Sequence, residues 1–400
     1  MRIRPLVHSV CAAVVSVGAA FSIFFAAGLL RPLEAVPQAQ AAQKPAAAPA
    51  TAPQAAPKPA TPPVEMTAAQ AYKNVQVLKD VPQDQFLSSM FVIAASLGVG
   101  CDHCHVGSDT GAWPMEKDDK KAKLTARDMM KMMRGINDQF FGGQQEVTCA
   151  TCHQGHLQPS AFVPVRQLGE KQEGEVDEAQ QKSLPTADSV LDSYVSAIGG
   201  ASALGKLTTR EAKGTMTSES GETYSFLLRQ KSPNHMFFSF TSAELQVSKG
   251  FDGEISWQKW PNGVFNQRGI EGKSIARWAE LFVDADAKKR YPRRFVEGKE
   301  TLEGHEVFVV RAGGPGDVSE RLYFDASTGL LLRRIVLTRT ALGRLPEETD
   351  FADYREVDGV KEPFTVRYLQ INTRFTVKYT EIRHNVPLDD SIFQMPLGPK

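Results

Sequence analysis

Apolar residues recur at helical spacing in two stretches of the N-terminal third of the chain. In the first stretch the apolar positions are Phe86, Met90, Ile93 and Leu97. This spacing predicts a helix over residues 82–97, with Pro82 in the first turn and Gly98 just past the end. In the second stretch the apolar positions are Met129, Met133, Ile136 and Phe140. They predict a helix over residues 125–140, with Thr125 and Asp128 as a capping pair at its start.

From about residue 207 the pattern changes to short runs of β-forming residues separated by turn signals, which is typical of strands. The predicted strands cover residues 237–240, 255–260, 308–311, 323–324, 330–338, 354–357, 364–369 and 375–383. Helices are predicted over residues 188–198 and 274–290. Because consecutive strands joined by tight turns pair with one another, these runs predict a curved antiparallel sheet with one or two helices packed against it.

The N-terminus has the order of an export signal, with Arg2 and Arg4 before an apolar run over residues 10–30. The run is long enough to cross a bilayer, so residues 1–33 are predicted to be a signal peptide or a membrane anchor. Residues 34–66 are rich in alanine and proline and predict an extended linker. A second, polar linker is predicted over residues 166–186.

Charge gives no support for a nucleic-acid partner. Lysine plus arginine and aspartate plus glutamate number 46 each, so the formal net charge is zero. A balanced chain lacks the positive field that attracts a phosphate backbone.

Four of the five cysteines fall in two C-x-x-C-H motifs, the attachment pattern of a c-type haem. The motifs are Cys101-Asp102-His103-Cys104-His105 and Cys149-Ala150-Thr151-Cys152-His153. Two thiols three positions apart reach the two vinyl groups on one porphyrin edge, and the following histidine then lies under the iron. The sequence therefore predicts two covalently bound haem c groups, attached on the exported side of the membrane.

The cysteine pairs have two other interpretations, which the sequence disfavours. In a zinc ribbon the pairs are usually about 15–20 residues apart, whereas Cys104 and Cys149 are far more widely separated. Structural disulfides would not require a histidine after each pair.

A six-coordinate haem needs a second axial ligand, and the helix before each motif carries methionine. For the first haem Met90 is the only methionine in its helix, and it is the predicted partner of His105. For the second haem, opposite His153, four methionines compete, and their spacing does not choose among them: Met129, Met130, Met132 and Met133. His103 and His156 are rival ligands, less well placed to cross the ring.

The motifs and the methionine intervals before them resemble the cytochrome c subunit of the photosynthetic reaction centre over about residues 72–165. The resemblance rests on Ser89-Met90 before the first motif and on Met129 with Arg134-Gly135-Ile136-Asn137 before the second. It implies that Met129 is the second axial ligand, with Met132 as the runner-up. It also implies redox-protein partners or a membrane electron-transfer complex of the reaction-centre kind. That family usually carries four haems, so two motifs correspond to one half.

The C-terminal part resembles LolA-like carriers of outer-membrane lipoproteins, on Tyr323-Phe324-Asp325 with Thr328-Gly329-Leu330-Leu331 and the closing strands. This resemblance implies an apolar concave face that holds lipid; the alternative is a docking or spacer domain with an ordinary core.

Together these patterns predict a multidomain chain: a mainly α di-haem cytochrome c domain over residues 67–165, then an α+β domain with a curved antiparallel sheet over 187–400. The predicted function is single-electron transfer, not catalysis, because His/Met ligation leaves no open iron position. Two alternatives stay open: a di-haem peroxidase-like enzyme, and a lipid- or quinone-binding protein with accessory haems.

Overall fold

The structure, a computed structural model, describes residues 66–107, 113–159, 183–313, 318–371 and 373–397. The predicted export segment lies outside these ranges. In the described residues no helix is long and apolar enough to cross a membrane.

Four helices belong to the N-terminal part of the described chain: α1 (Ala68–Ala71), α2 (Gln83–Leu97), α3 (Lys121–Phe140) and α4 (Cys149–His153). Four more follow: α5 (Ala187–Ala197), α6 (Ala201–Leu204), α7 (Gly269–Trp278) and α8 (Ala287–Arg290). The predicted helices over 82–97, 125–140 and 188–198 are therefore present.

The C-terminal part is a 13-stranded antiparallel sheet, which confirms the predicted sheet. Its strands are β1 (Thr209–Ser218), β2 (Thr223–Lys231), β3 (His235–Thr241), β4 (Gln246–Phe251), β5 (Ser256–Trp260), β6 (Gly263–Gln267), β7 (Arg293–Leu302), β8 (His305–Gly313), β9 (Val318–Asp325), β10 (Leu331–Arg339), β11 (Arg344–Val357), β12 (Val360–Gln370) and β13 (Thr373–His384). The order is β6-β5-β4-β3-β2-β1-β13-β12-β11-β10-β9-β8-β7. Strand β1 pairs with β13, so β6 and β7 form the two edges.

The prediction of one continuous helix over residues 274–290 is wrong, because the structure has two helices there. Helix α7 ends at Trp278 and α8 begins at Ala287. Between them Phe282 has a positive φ of 50°, and Asp284 forms a buried ion pair with Arg334 at 3.1 Å. A positive φ does not fit a right-handed helix, so the chain turns at Phe282.

Five strands of the sheet are not predicted from the sequence, namely β1, β2, β4, β6 and β7. Strands β1 and β2 lack an apolar alternation because part of their buried face is polar. Glu211 and Gln230 are both buried there, and Arg210 pairs with buried Glu362 at 2.8 Å.

Separate cores lie against the sheet. Helix α5 covers β7 to β10 through Leu191, Tyr194 and Ile198, and α7 packs Ile275 and Ala279 against β1 to β4 and β12–β13. A further core joins the N-terminal helices to the sheet, with Val92, Ile93, Met130 and Met133 around Ile270, Leu342 and Leu345. The described residues belong to one compact unit.

Candidate haem sites

Each C-x-x-C-H motif folds as a short helical turn behind a methionine-bearing helix. After α2, Gly98 adopts φ +65° and residues Cys101–His103 form a 3-10 turn. After α3, Gly142 and Gly143 have positive φ and the motif forms α4. The predicted repeat of helix, glycine turn and motif is therefore confirmed. Because residues three apart share one side of a helical turn, each cysteine pair is presented on one face.

The second motif orients its histidine. The Nδ1 of His153 lies 3.0 Å from the backbone carbonyl oxygen of His156. A carbonyl only accepts hydrogen bonds, so Nδ1 carries the proton and Nε2 keeps its lone pair. This is the arrangement typical of metal-ligating histidines, and it fits His153 as an iron ligand. The rival His156 contributes its backbone to this arrangement, while its side chain is exposed.

The histidine of the first motif, His105, lies in a partly buried site. His105 is half-buried, and its Nδ1 is buried without a hydrogen-bond partner. Burial is the main cause of its lowered pKa, and the nearby Lys123 ammonium lowers it further. A neutral imidazole is the form that binds iron, so this environment also fits a ligand.

Burial likewise raises the pKa of the thiols of Cys104 and Cys149. Cys104, Cys149 and Cys152 form no disulfide. In the described parts of the chain, no group of three or more His, Cys, Asp or Glu residues is placed to hold a metal ion.

Charged side chains of α3, and of Lys120 just before it, hold the loops around the first motif. Lys120 donates to the carbonyl of Asp102, and Lys123 donates to the carbonyl of Met115 at 2.7 Å. Arg127 pairs with Asp118 at 2.8 Å, and this hydrogen bond is the main cause that holds the pKa of the Asp118 carboxyl well below its usual range.

The face of α3 that points inward differs from the predicted stripe. Its buried residues are Arg127, Met130, Met133 and Asn137. The helix also begins at Lys121, so the predicted capping pair Thr125–Asp128 lies inside it and is wrong. Arg127 and Asn137 are buried on this face and have hydrogen-bond partners there, which a search for apolar periodicity does not detect.

The predicted methionine ligands occupy different environments. Met90 is half-buried and packs against the core shared by α2 and α3. Met129 is 41% exposed, and its neighbours on the outer face, Met132 and Phe140, are 51% and 69% exposed. The side chains of Met130 and Met133 are buried in the core. An apolar stripe on the outer side of α3 is a surface that a flat apolar group can cover.

Asn137 links α3 to the segment before the second motif and was not singled out as a site residue from the sequence. Its Nδ2 donates to the carbonyl of Val147 at 2.7 Å, and its Oδ1 accepts from the amide of Val147 at 2.9 Å. Val147 lies two residues before Cys149. The sequence did contain a signal for this role, because Asn137 is a polar residue on the same helix face as Met130 and Met133.

Replacing Asn137 with alanine should destabilise the protein by about 1–3 kcal/mol, because both backbone groups of Val147 lose their partner. Chemical denaturation followed by circular dichroism measures the change. Gln139→Ala, two residues along on the exposed side of the same helix, is the matched control and should stay within about 0.5 kcal/mol of the parent. Equal stabilities for the two variants would refute the role of Asn137.

Helix α2, which leads into the first motif, is in contact with the second motif and with the residues just after it. The amide of Gly155, two residues after His153, donates to the carbonyl of Ser96 near the end of α2 at 2.9 Å. Gly98 also packs on Gly155, and a Cβ built at Gly98 would lie 2.2 Å from the Gly155 carbonyl oxygen. The helix that leads into the first motif therefore forms a wall of the second.

The N-terminal part of the chain is similar in sequence to known proteins. Residues 32–196 match the family model of the photosynthetic reaction centre cytochrome C subunit. The reaction center cytochrome c subunit of Thermochromatium tepidum is 36% identical over 96 residues, which is 23% of this chain and 22% of that protein. That of Roseobacter denitrificans is 33% identical over 103 residues, 24% of this chain and 27% of that protein. The chain thus spans about a quarter of the length of these relatives.

Among solved structures, a LolA superfamily protein from Nitrosomonas europaea is similar to 53% of this chain and 98% of its own length, with 13% identity and a TM-score of 0.36. Such LolA-like neighbours fall on the C-terminal part. Residues 32–196 are accordingly similar to the photosynthetic reaction centre cytochrome c subunit family, as the resemblance of the motifs implied.

Proposed function

We propose that the chain is a di-haem electron carrier. One haem c is attached through Cys101 and Cys104, with His105 and Met90 as axial ligands. The other is attached through Cys149 and Cys152, with His153 and Met129 as axial ligands. The observation that carries the proposal is the repeated unit, in which a methionine-bearing helix and a glycine turn lead to each C-x-x-C-H turn.

Bound haem supplies the one-electron redox chemistry, and the chain supplies position and environment. The hydrogen bond between Gly155 and Ser96 ties the helix that leads into the first motif to the segment that follows the second, which supports electron transfer between the two haems. The contact from His153 to the His156 carbonyl holds the imidazole in the ligating tautomer. Met129 supports a His/Met site because it lies on the exposed apolar stripe, whereas Met130 and Met133 are used in the core.

The proposal extends to location and partners. An arginine-led apolar run precedes the described residues, so residues 1–33 export or anchor the chain and place the haem segment, residues 67–165, on the periplasmic side. Its partners there are redox proteins or a membrane electron-transfer complex. The sheet-bearing part, residues 187–400, is the second domain. Two His/Met sites make the chain an electron carrier and not an enzyme.

Substitution of the methionines tests the ligation. In the oxidised protein, Met90→Ala and Met129→Ala should each remove about half of the thioether–iron absorption band, because each removes one sulfur ligand. Met132→Ala, three residues from Met129 and likewise exposed, is the matched control and should leave the band intact. Loss of the band in Met132→Ala with retention in Met129→Ala would contradict the assignment and make Met132 the ligand.

A further inference from the structure

The β10–β11 turn, residues 340–343, projects from the C-terminal sheet into the core of the N-terminal helices. Leu342 is fully buried there, in a cluster with Val92 of α2 and Met133 of α3. Cys149, the first cysteine of the second motif, packs against the same cluster. A leucine of the C-terminal sheet therefore helps to fill the core that supports both methionine-bearing helices.

Hydrogen bonds within the turn fix its conformation. The amide of Thr340 donates to the carbonyl of Gly343 at 2.7 Å, and the Thr340 hydroxyl donates to the same carbonyl at 2.9 Å. That hydroxyl also accepts from the amide of Leu342 at 3.2 Å. Since Thr340 is itself buried, the turn presents Leu342 and Gly343 in one fixed arrangement.

The same turn contacts the segment that leads into the second motif. The side-chain amide of Gln145 donates to the Thr340 carbonyl at 3.2 Å. A Cβ built at Gly343 would lie 3.0 Å from Cγ1 of Val92 and 3.7 Å from Cβ of Thr148. Thr148 immediately precedes Cys149. The turn is thus fitted between α2 and the start of the second motif.

We propose that Leu342 and Gly343 are positioning residues for the second haem, so that the C-terminal sheet sets the iron environment at Cys149–His153 in addition to any docking role. This proposal rests on the proposed function, because it concerns a haem at that motif. The turn acts through Thr148, Gln145 and Val92.

The test compares two leucines in the full-length chain. Leu342 and Leu322 are both fully buried on strands or turns of the same sheet, but Leu322 packs under α5, in a core that contains no residue of the haem segment. Both alanine variants should lose stability through cavity formation. Only Leu342→Ala should shift the midpoint potential of one haem, identified as the haem that the Cys149→Ser/Cys152→Ser variant lacks. Equal potentials in Leu342→Ala, Leu322→Ala and the parent would overturn the proposal.

A second variant covers the case in which Leu342→Ala does not fold. Gly343→Ala requires Val92 to move by a few tenths of an ångström and places a Cβ on a backbone with φ +156°, which favours glycine. It should shift the same potential, and the added substitution Val92→Ala should restore it by removing the contacting methyl groups. A Gly343→Ala protein with the parental potential would contradict the proposal.

Amide hydrogen exchange tests the positioning role independently of the proposed function, because the measurement does not require a bound haem. Amides of residues 145–153 should exchange faster in Leu342→Ala than in Leu322→Ala. A parent protein without a second haem would refute the proposed function, while the exchange comparison would still decide whether the turn holds the motif. Identical exchange in the two variants would refute the positioning role even if both haems are present.

Discussion

Replacing both cysteines of one motif with serine should lower the haem content from two haems to one per chain. Cys149→Ser with Cys152→Ser removes both thiols that form thioether bonds at α4 and leaves the first motif intact. The structure supports independent attachment because each motif forms its own helical turn behind its own helix. The haem-to-protein ratio after denaturation measures the change, since only covalent haem stays with the unfolded chain.

The same substitution at the fifth cysteine provides the control. Cys11 lies outside both motifs, so Cys11→Ser should keep two haems. The matching variant of the first motif, Cys101→Ser with Cys104→Ser, should again leave one. Complete loss of haem from either double variant, with the protein still folded, would show that the two sites are not independent. An unchanged ratio would refute covalent attachment at that motif.

Replacing Gly98 with alanine should destabilise the protein by about 2–5 kcal/mol. Two effects add: a left-handed residue with a Cβ costs about 1–2 kcal/mol, and forcing apart packed atoms costs about 1–3 kcal/mol. The second effect is expected because the added Cβ would lie 2.2 Å from the Gly155 carbonyl oxygen. Thermal or chemical unfolding of the full chain measures the loss.

Gly142 is a close match for Gly98, because it lies just past the end of α3 with φ +59° and has no atom within 4 Å of an added Cβ. Gly142→Ala therefore carries the backbone cost alone, about 1–2 kcal/mol. The difference in stability loss between the two variants gives the contribution of the contact between Gly98 and Gly155. Equal losses would mean that Gly98 and Gly155 do not pack as the structure shows.

The parts of the molecule predicted from sequence are those with local signals. The C-x-x-C-H motifs, the glycine turns and the end of α2 at Leu97 each depend on residues within one helix or turn. The antiparallel sheet was predicted from short runs and turns in the same way. The start of α3 was missed because Thr125 and Asp128 imitate a capping pair inside a helix that begins at Lys121.

The contacts between the N-terminal helices and the sheet could not be predicted, because they join residues far apart in the chain. Gln145 and Thr340 are separated by 195 positions, and Leu342 sits in a turn where an apolar residue gives no periodic signal. Asn137 lies close to Val147 in sequence, but its hydrogen bonds require the chain to reverse after α3. Strands β1 and β2 were hidden by buried polar residues such as Glu211, whose partners come from other strands.

The most direct test of the di-haem electron carrier is the absorption spectrum of the exported full-length protein, oxidised and reduced, with and without carbon monoxide, together with the haem-to-protein ratio. Two haems per chain, both low-spin and both unaffected by carbon monoxide when reduced, are the result expected for two His/Met sites. A reduced haem that binds carbon monoxide would contradict the account, because one iron would then have an open position, as in a peroxidase-like enzyme.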